Sequence, residues 1–121
     1  MEVRQRRVLV LEDEPIVAMD IEATLSDAGF TVPAVIPSVA DALKWLDDNA
    51  PDVVVLDIHL QDGVCVNVVR RLVEKAVPFV VFTGSNPDEG DVDPVFRAGR
   101  WIEKPAPAER IVAVIQELVA A

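Results

Sequence analysis

The sequence predicts an α/β domain: a doubly wound, five-stranded parallel sheet of order 2-1-3-4-5 with helices on both faces. Three observations predict it. The runs Val8-Leu9-Val10-Leu11, Val53-Val54-Val55-Leu56 and Phe79-Val80-Val81-Phe82 are apolar without alternation, as strands buried on both faces are. Segments with apolar residues three and four apart alternate with these runs, which is the β–α order of a wound sheet. Each run also stops at a chemically loaded residue, at Glu12-Asp13, at Asp57 and at Thr83, with Lys104-Pro105 close behind Trp101-Ile102. An open α/β sheet places its ligand crevice at those strand ends.

Taken in order, the first strand is 8–11. Pro15 then sits where a first helical turn accepts it, Val17, Ile21, Leu25 and Ala28 form a stripe, and Gly29 stops the helix. Residues 31–36 read as a poorer edge strand, because Pro33 and Pro37 flank its centre. Ser38 caps a second helix whose inner face is Val39, Ala42, Leu43 and Leu46, and the third strand runs through 53–57. Gln61-Asp62-Gly63 is expected to turn directly into a third helix, with Cys65, Val69, Leu72 and Ala76 inside. Pro78 opens the fourth strand, Trp101 and Ile102 mark a short fifth, and a last helix begins near Pro107 with Ile111, Ile115 and Leu118. Residues 86–99 hold Pro87, Gly90 and Pro94 with four acids. Interior Gly and Pro cost a helix about 1 and 3 kcal/mol, so helix four should be short or irregular, a turn or two after Pro94.

At 121 residues the chain is read as one domain, 1–121, with no attached output domain. Its 21 acids against 11 bases give a net charge of -10, which excludes the basic footprint of nucleic-acid binding. The same balance suits a cation site and a positively charged protein partner. The basic cluster Arg4, Arg6 and Arg7 reads as a solvated edge. Cys65 is the lone cysteine, so neither a disulfide nor a cysteine metal site is expected, and a buried thiol acts as a small hydrophobe. No apolar stretch is long enough to cross a bilayer and the start lacks a signal-peptide pattern; a cytoplasmic protein, monomeric or weakly dimeric and without membrane contact, is expected.

In the order 2-1-3-4-5 the crevice lies between strands one and three, so Glu12 and Asp13 face Asp57 across a strand spacing of about 4.8 Å. Three carboxylates this close repel one another, and the unliganded cleft should be electrostatically strained. A hard divalent cation relieves that: Mg²⁺ takes one or two carboxylates and leaves positions for phosphate oxygens. An ammonium and a hydroxyl nearby suit phosphoryl oxygens, and a carboxylate can act as the nucleophile that forms an acyl phosphate. Glu14 is read as the acid that serves the helix N-terminus, leaving Glu12 and Asp13 for the metal.

The chain resembles, over essentially its whole length, the receiver domain of bacterial two-component response regulators, of the flavodoxin-like, stand-alone, single-domain type. Glu12-Asp13 is similar to the family's acidic pair, Asp57 to its phosphoaccepting aspartate, Thr83 to its hydroxyl switch, and Lys104-Pro105 to its lysine and typically cis proline. The resemblance implies transfer of a phosphoryl group to Asp57 from a sensor histidine kinase or histidine phosphotransfer protein. It implies Mg²⁺ (or Mn²⁺) held by Glu12, Asp13, Asp57 and the His59 backbone carbonyl. Lys104 and Thr83 would then read the phosphoryl oxygens and Trp101 occupy the switch-aromatic position, although Trp101 is equally read as a packing residue. His59 and Ser85 stand where family members tune dephosphorylation. The output is expected through a downstream protein partner, with no enzymatic activity beyond Mg-dependent self-phosphorylation and auto-dephosphorylation. Glu12 in place of an aspartate, the bulky Trp101 and the broken helix four depart from the common pattern. Thr83-Gly84 is similar to the Phe-Ala-Thr-Gly motif of an alphaproteobacterial branch, with Val81-Phe82 in place of Phe-Ala.

Rival readings are an aspartyl phosphatase, which wants an acid where His59 stands, and a nucleotide or flavin domain, which wants a phosphate loop where Glu12-Asp13 stand. A third is a receiver-like interaction module that works without phosphorylation.

Overall fold

The computed structural model describes residues 5–90 and 92–120; Arg4 of the basic cluster and Asp91 of the acidic loop lie outside them. Its elements are β1 (Val8–Leu11), α1 (Pro15–Asp27), β2 (Val35–Ile36), α2 (Val39–Asp48), β3 (Val53–Leu56), β4 (His59–Leu60), β5 (Gly63–Val64), α3 (Val66–Glu74), β6 (Phe79–Thr83), a 3₁₀ helix (Pro94–Ala98), β7 (Arg100–Glu103) and α4 (Ala108–Val119). The main sheet has the order β2-β1-β3-β6-β7 with every pairing parallel. Counting only its own strands, that is the expected 2-1-3-4-5.

The strand period of two sorts the continuous apolar runs into two cores. Leu9, Leu11, Val54, Leu56, Phe79 and Val81 pack with Leu46 of α2, Val68, Val69 and Leu72 of α3, and Phe96 of the 3₁₀ helix. Val8, Val10, Val53, Val55, Val80, Phe82 and Ile102 pack on the other side with Ile21 and Leu25 of α1 and Ile111 and Ile115 of α4. A sheet sandwiched in this way holds its strand ends rigidly, and those ends carry the site.

Several local expectations are corrected. Ala28 and Ala76 are exposed, not on helix faces. Each follows the end of its helix, and Ala76 has a positive φ of 55° that turns the chain away from α3. Residues 31–36 form a ladder only at Val35–Ile36, with a single bridge between Arg7 and Thr31; Pro33 between them has no N–H to donate. Cys65 is buried but precedes α3 rather than lying along it. Residues 59–64 do not turn straight into a helix: β4 and β5 form a small antiparallel hairpin, with Gly63 at a φ of 133°.

The hairpin has a purpose in the fold. Asp62 at its tip accepts the first two amides of α2, Val39 N at 2.6 Å and Ala40 N at 3.0 Å, while Ser38 Oγ accepts Asp41 N at 3.3 Å. Those amides are helix orphans, and their bonds hold the Asp62 carboxyl below its ordinary 3.8. A depressed carboxylate stabilises the fold above its unfolded pKa and loses that contribution as pH falls through its folded one. Asp62→Ala is therefore expected to lower the thermal midpoint at pH 7, with the gap to wild type closing as the pH is taken below 3.8. A gap independent of pH in a melting series would contradict this role.

Residues 86–99 behave as their composition predicts. Among the described residues of this stretch the only helix is the five-residue 3₁₀ turn Pro94–Ala98, capped by Asp93, whose Oδ1 accepts Val95 N at 2.9 Å. Phe96 is fully buried, and Val92 and Val95 pack beside it. Gly99 closes the segment against Phe79; a Cβ there would lie 2.7 Å from the Phe79 carbonyl oxygen and overlap its ring.

Candidate functional site

The parallel register aligns the strand ends: Leu11 pairs with Leu56 and Leu56 with Val81, so the residues that follow them meet. The ladder continues one bond further, with Asp57 N donating to Leu11 O at 3.0 Å and Glu12 N to Ile36 O at 3.1 Å. Glu12, Asp57 and Thr83 are all buried, at 3%, 8% and 1% exposure. Polar groups this deep need partners, and each has one.

Asp57 is the hub. Thr83 Oγ1 donates to its Oδ1 at 2.8 Å, and the His59 amide donates to the same oxygen at 3.3 Å. Lys104 Nζ donates to Oδ2 at 2.9 Å and also to Glu12 Oε1 at 3.0 Å. Cys65 Sγ donates to the Asp57 carbonyl at 3.2 Å. Burial, followed by the charge of Asp57, pushes that thiol up to about 12, so it stays a neutral donor.

The expected strain among the acids is thus largely relieved within the chain. Lys104 reaches Glu12 and Asp57 from the end of β7, the edge strand; its backbone N–H donates to Thr83 O at 2.8 Å and its Nζ lies 5.4 Å from the Phe82 ring centroid. Burial alone would pull its ammonium down, but the bonds to Asp57 and Glu12 and their charges outweigh it and raise the pKa above 10.5. Burial raises the Glu12 carboxyl, and the bonds from Lys104 and from the Glu14 amide only partly oppose it. The Lys104-Pro105 peptide is cis.

One acid was misassigned from sequence. Glu14 makes no side-chain capping bond to α1. Its amide instead donates to Glu12 Oε2 at 3.2 Å, and its own carboxylate stands 3.6 Å from Lys104 Nζ. Glu12, Asp13, Glu14 and Asp57 each offer a carboxylate oxygen within 4.8 Å of the others. An all-oxygen, anionic donor set fits a hard divalent cation such as Mg²⁺ or Mn²⁺. The signal for Glu14 was its adjacency to the acidic pair, and helix-capping statistics pointed elsewhere.

The other sequence-predicted residues lie around this hub. The side chain of His59 is exposed at the mouth, and Ser85 lines the same cleft of about 360 Å³. Trp101 is half-buried against the α2–α3 core, and its indole N–H donates to Ser85 O at 3.0 Å. It therefore packs and, at the same time, grips the chain two residues beyond Thr83. On the other side of Lys104 a roomier groove of about 470 Å³ is mostly apolar, lined by Ile16, Val17, Phe82 and Ala106. Beside it α1 presents Ile16 at 81% and Met19 at 68% exposure. The ionisable cluster sits in the smaller cleft, and the larger groove is a surface beside it. No helix among the described residues is long and apolar enough to cross a membrane.

Comparison with known proteins agrees with this geometry. The chain is 32% identical over 116 residues to the transcriptional regulatory protein PrrA of Mycobacterium tuberculosis, covering 93% of this chain and 49% of PrrA. It is 31% identical over 121 residues to the phyllosphere-induced regulator PhyR of Methylorubrum extorquens, covering 91% of this chain and 42% of PhyR. The chain thus spans about half the length of these curated relatives or less. Among solved structures, SdrG from Sphingomonas melonis superposes with a TM-score of 0.79 at 28% identity, over 98% of this chain and 99% of SdrG. The receiver domain of sensor histidine kinase PA1611 from Pseudomonas aeruginosa, solved with a magnesium ion coordinated in its active site cleft, superposes with a TM-score of 0.82 at 21% identity. It covers 98% of this chain and 100% of that one. Residues 8–116 match the family described as the response regulator receiver domain, and the chain belongs to that family.

Proposed function

We propose that the chain is a Mg²⁺-dependent phosphoacceptor that takes a phosphoryl group on Asp57 and signals through protein contacts. The observation that carries this reading is the holding of Asp57: Thr83 on one oxygen, Lys104 on the other, at the edge of a four-carboxylate cluster. In the transfer, an Asp57 oxygen attacks the phosphorus of a phosphohistidine and the P–N bond breaks. An acyl phosphate forms, and the imidazole leaves with the bonding pair. Glu12, Asp13, Asp57 and the His59 carbonyl would hold the cation, with Glu14 adjoining. When bound, it neutralises charge building on the phosphoryl oxygens.

The chain's own residues do the rest. Lys104 and Thr83, already on Asp57, can each shift to a phosphoryl oxygen without crossing the cleft, which is the preorganisation a charged transition state requires. In the unliganded cleft Glu12 turns one carboxylate oxygen toward Lys104 and the other toward the Glu14 amide, which orients the ammonium before the cation arrives. The exposed Ile16 and Met19 beside the apolar groove favour a protein donor, a sensor histidine kinase or histidine phosphotransfer protein, that covers them on docking. A movement of Thr83 would be felt at Ser85 and hence at Trp101.

Incubation with acetyl phosphate and Mg²⁺, followed by intact-protein mass spectrometry, should yield a phosphoryl adduct on wild type and none on Asp57→Asn or after chelation of Mg²⁺. An unmodified wild type would sink this reading and favour the receiver-like module that works without phosphorylation.

A further inference from the structure

We propose that Glu14 is a positioning residue for Lys104: it takes over the ammonium when a divalent cation occupies the Glu12 and Asp57 carboxylates. The proposal rests on the metal-dependent reading above and assigns a role to a side chain that reading leaves idle.

Glu14 immediately precedes α1, where a carboxylate ordinarily accepts a free amide. It accepts none from the helix, and its side chain is 62% exposed. The nearest cation is Lys104, whose Nζ is 3.6 Å from Glu14 Oε1. That distance is an ion pair and not a hydrogen bond. An ammonium carries three N–H donors. Two are committed, to Asp57 at 2.9 Å and Glu12 at 3.0 Å. Among the described residues, Glu12, Asp57 and Glu14 are the carboxylates within ion-pair range of Lys104.

A cation entering the cleft draws on the same two oxygen-bearing groups that now hold Lys104, and it repels the ammonium at close range. Lys104 is only 18% exposed on its side chain, so it needs a replacement counter-ion and not water alone. Closing the 3.6 Å gap to Glu14 takes a movement of under about 1 Å, well within reach of a flexible four-carbon stem. Glu14 is the exposed member of the three, its side chain 62% accessible against 2% for Glu12 and 10% for Asp57, so the shift carries Lys104 from the buried pair toward a solvated partner. The unliganded contacts and the loaded ones then share a single pivoting lysine.

The test is a double-mutant cycle on the full chain. Mg²⁺ affinity is measured by calorimetry for wild type, Glu14→Gln, Lys104→Met and the double variant, with Lys104→Gln as a second neutral background should the methionine variant fold poorly. Glu14→Gln is expected to weaken Mg²⁺ binding about three- to tenfold more when Lys104 is present than when it is absent. Alongside, the Lys104 ammonium ¹H–¹⁵N resonance should remain protected from exchange in Mg²⁺-loaded wild type and lose that protection in Glu14→Gln. An equal loss of affinity in both backgrounds would show that Glu14 acts directly on the cation and would overturn the proposal. A wild type that binds no Mg²⁺ would instead overturn the metal-dependent reading beneath it.

Discussion

Lys104→Met is expected to destabilise the protein by about 2–4 kcal/mol at pH 7, because it leaves two buried carboxylates facing each other without their counter-ion. Methionine keeps an unbranched apolar stem of similar length, so what is lost is chiefly the ammonium, with its two carboxylate bonds and its place 5.4 Å from the Phe82 ring centroid. The range falls slightly below that for a fully dry pair because the side chain of Lys104 is 18% exposed and that of Asp57 10%, whereas that of Glu12 is 2%. The pH dependence has a definite sign. Burial already raises the Glu12 carboxyl above 4.5, and removal of Lys104 takes away the main force opposing that rise. A folded state that binds more protons than the unfolded one grows more stable as pH falls. Denaturant titrations should therefore show the variant recovering part of its loss between neutral pH and the ordinary carboxylate range, by more than wild type gains over the same interval. Mg²⁺ should rescue it too, by ~2.7 kcal/mol at a hundredfold excess over its dissociation constant. A variant as stable as wild type at pH 7 would mean that the acids are solvated and the bridge is incidental.

Phe96→Ala should be at least as costly, about 3–5 kcal/mol in global stability. Phe96 is the largest fully buried side chain, and it is the anchor of a segment with little else to hold it. Around it are a 3.6 Å ion pair from Arg70 to Asp93, and the Arg97 guanidinium on Pro87 O at 2.7 and 3.2 Å. Those contacts are exposed and weak. The ring itself fills the space beside α3 that a full helix would otherwise cover. Hydrogen exchange should show the amides of Phe96 and Gly99, bonded to Asp93 O and Phe96 O, losing protection first. A loss under about 1 kcal/mol would mean the segment is not cooperative with the sheet.

These two sites differ in how visible they were beforehand. The poor helical composition of residues 86–99 is a local property, and backbone preference together with the lack of apolar partners foretold the short turn after Pro94. Phe96, the bulkiest apolar side chain of that segment, is the one it buries completely. The Lys104 bridge, by contrast, joins residues 92 and 47 positions apart. Residue types told of a lysine near the acids, but whether it stood off or reached between them depends on the twist and register of four strands. The β4–β5 hairpin escaped for a related reason. Its turn residues were read correctly as a turn, and what stabilises them is Asp62 on α2, over twenty residues away in the chain.

Chain order and residue type were sufficient for the parallel sheet and for the gathering of Glu12, Asp13, Asp57, Thr83 and Lys104 at its carboxyl edge. The reason is that strands covered on both faces must be apolar throughout, so a polar residue ending such a run marks the strand end and the crevice together. Folding in three dimensions settled the electrostatics within that crevice: which oxygen of Asp57 takes the hydroxyl and which the ammonium, and that Glu14 faces Lys104 and not its own helix. Charges in a low-dielectric cleft interact over distances of a few ångströms, and spacing along the chain carries no information at that scale.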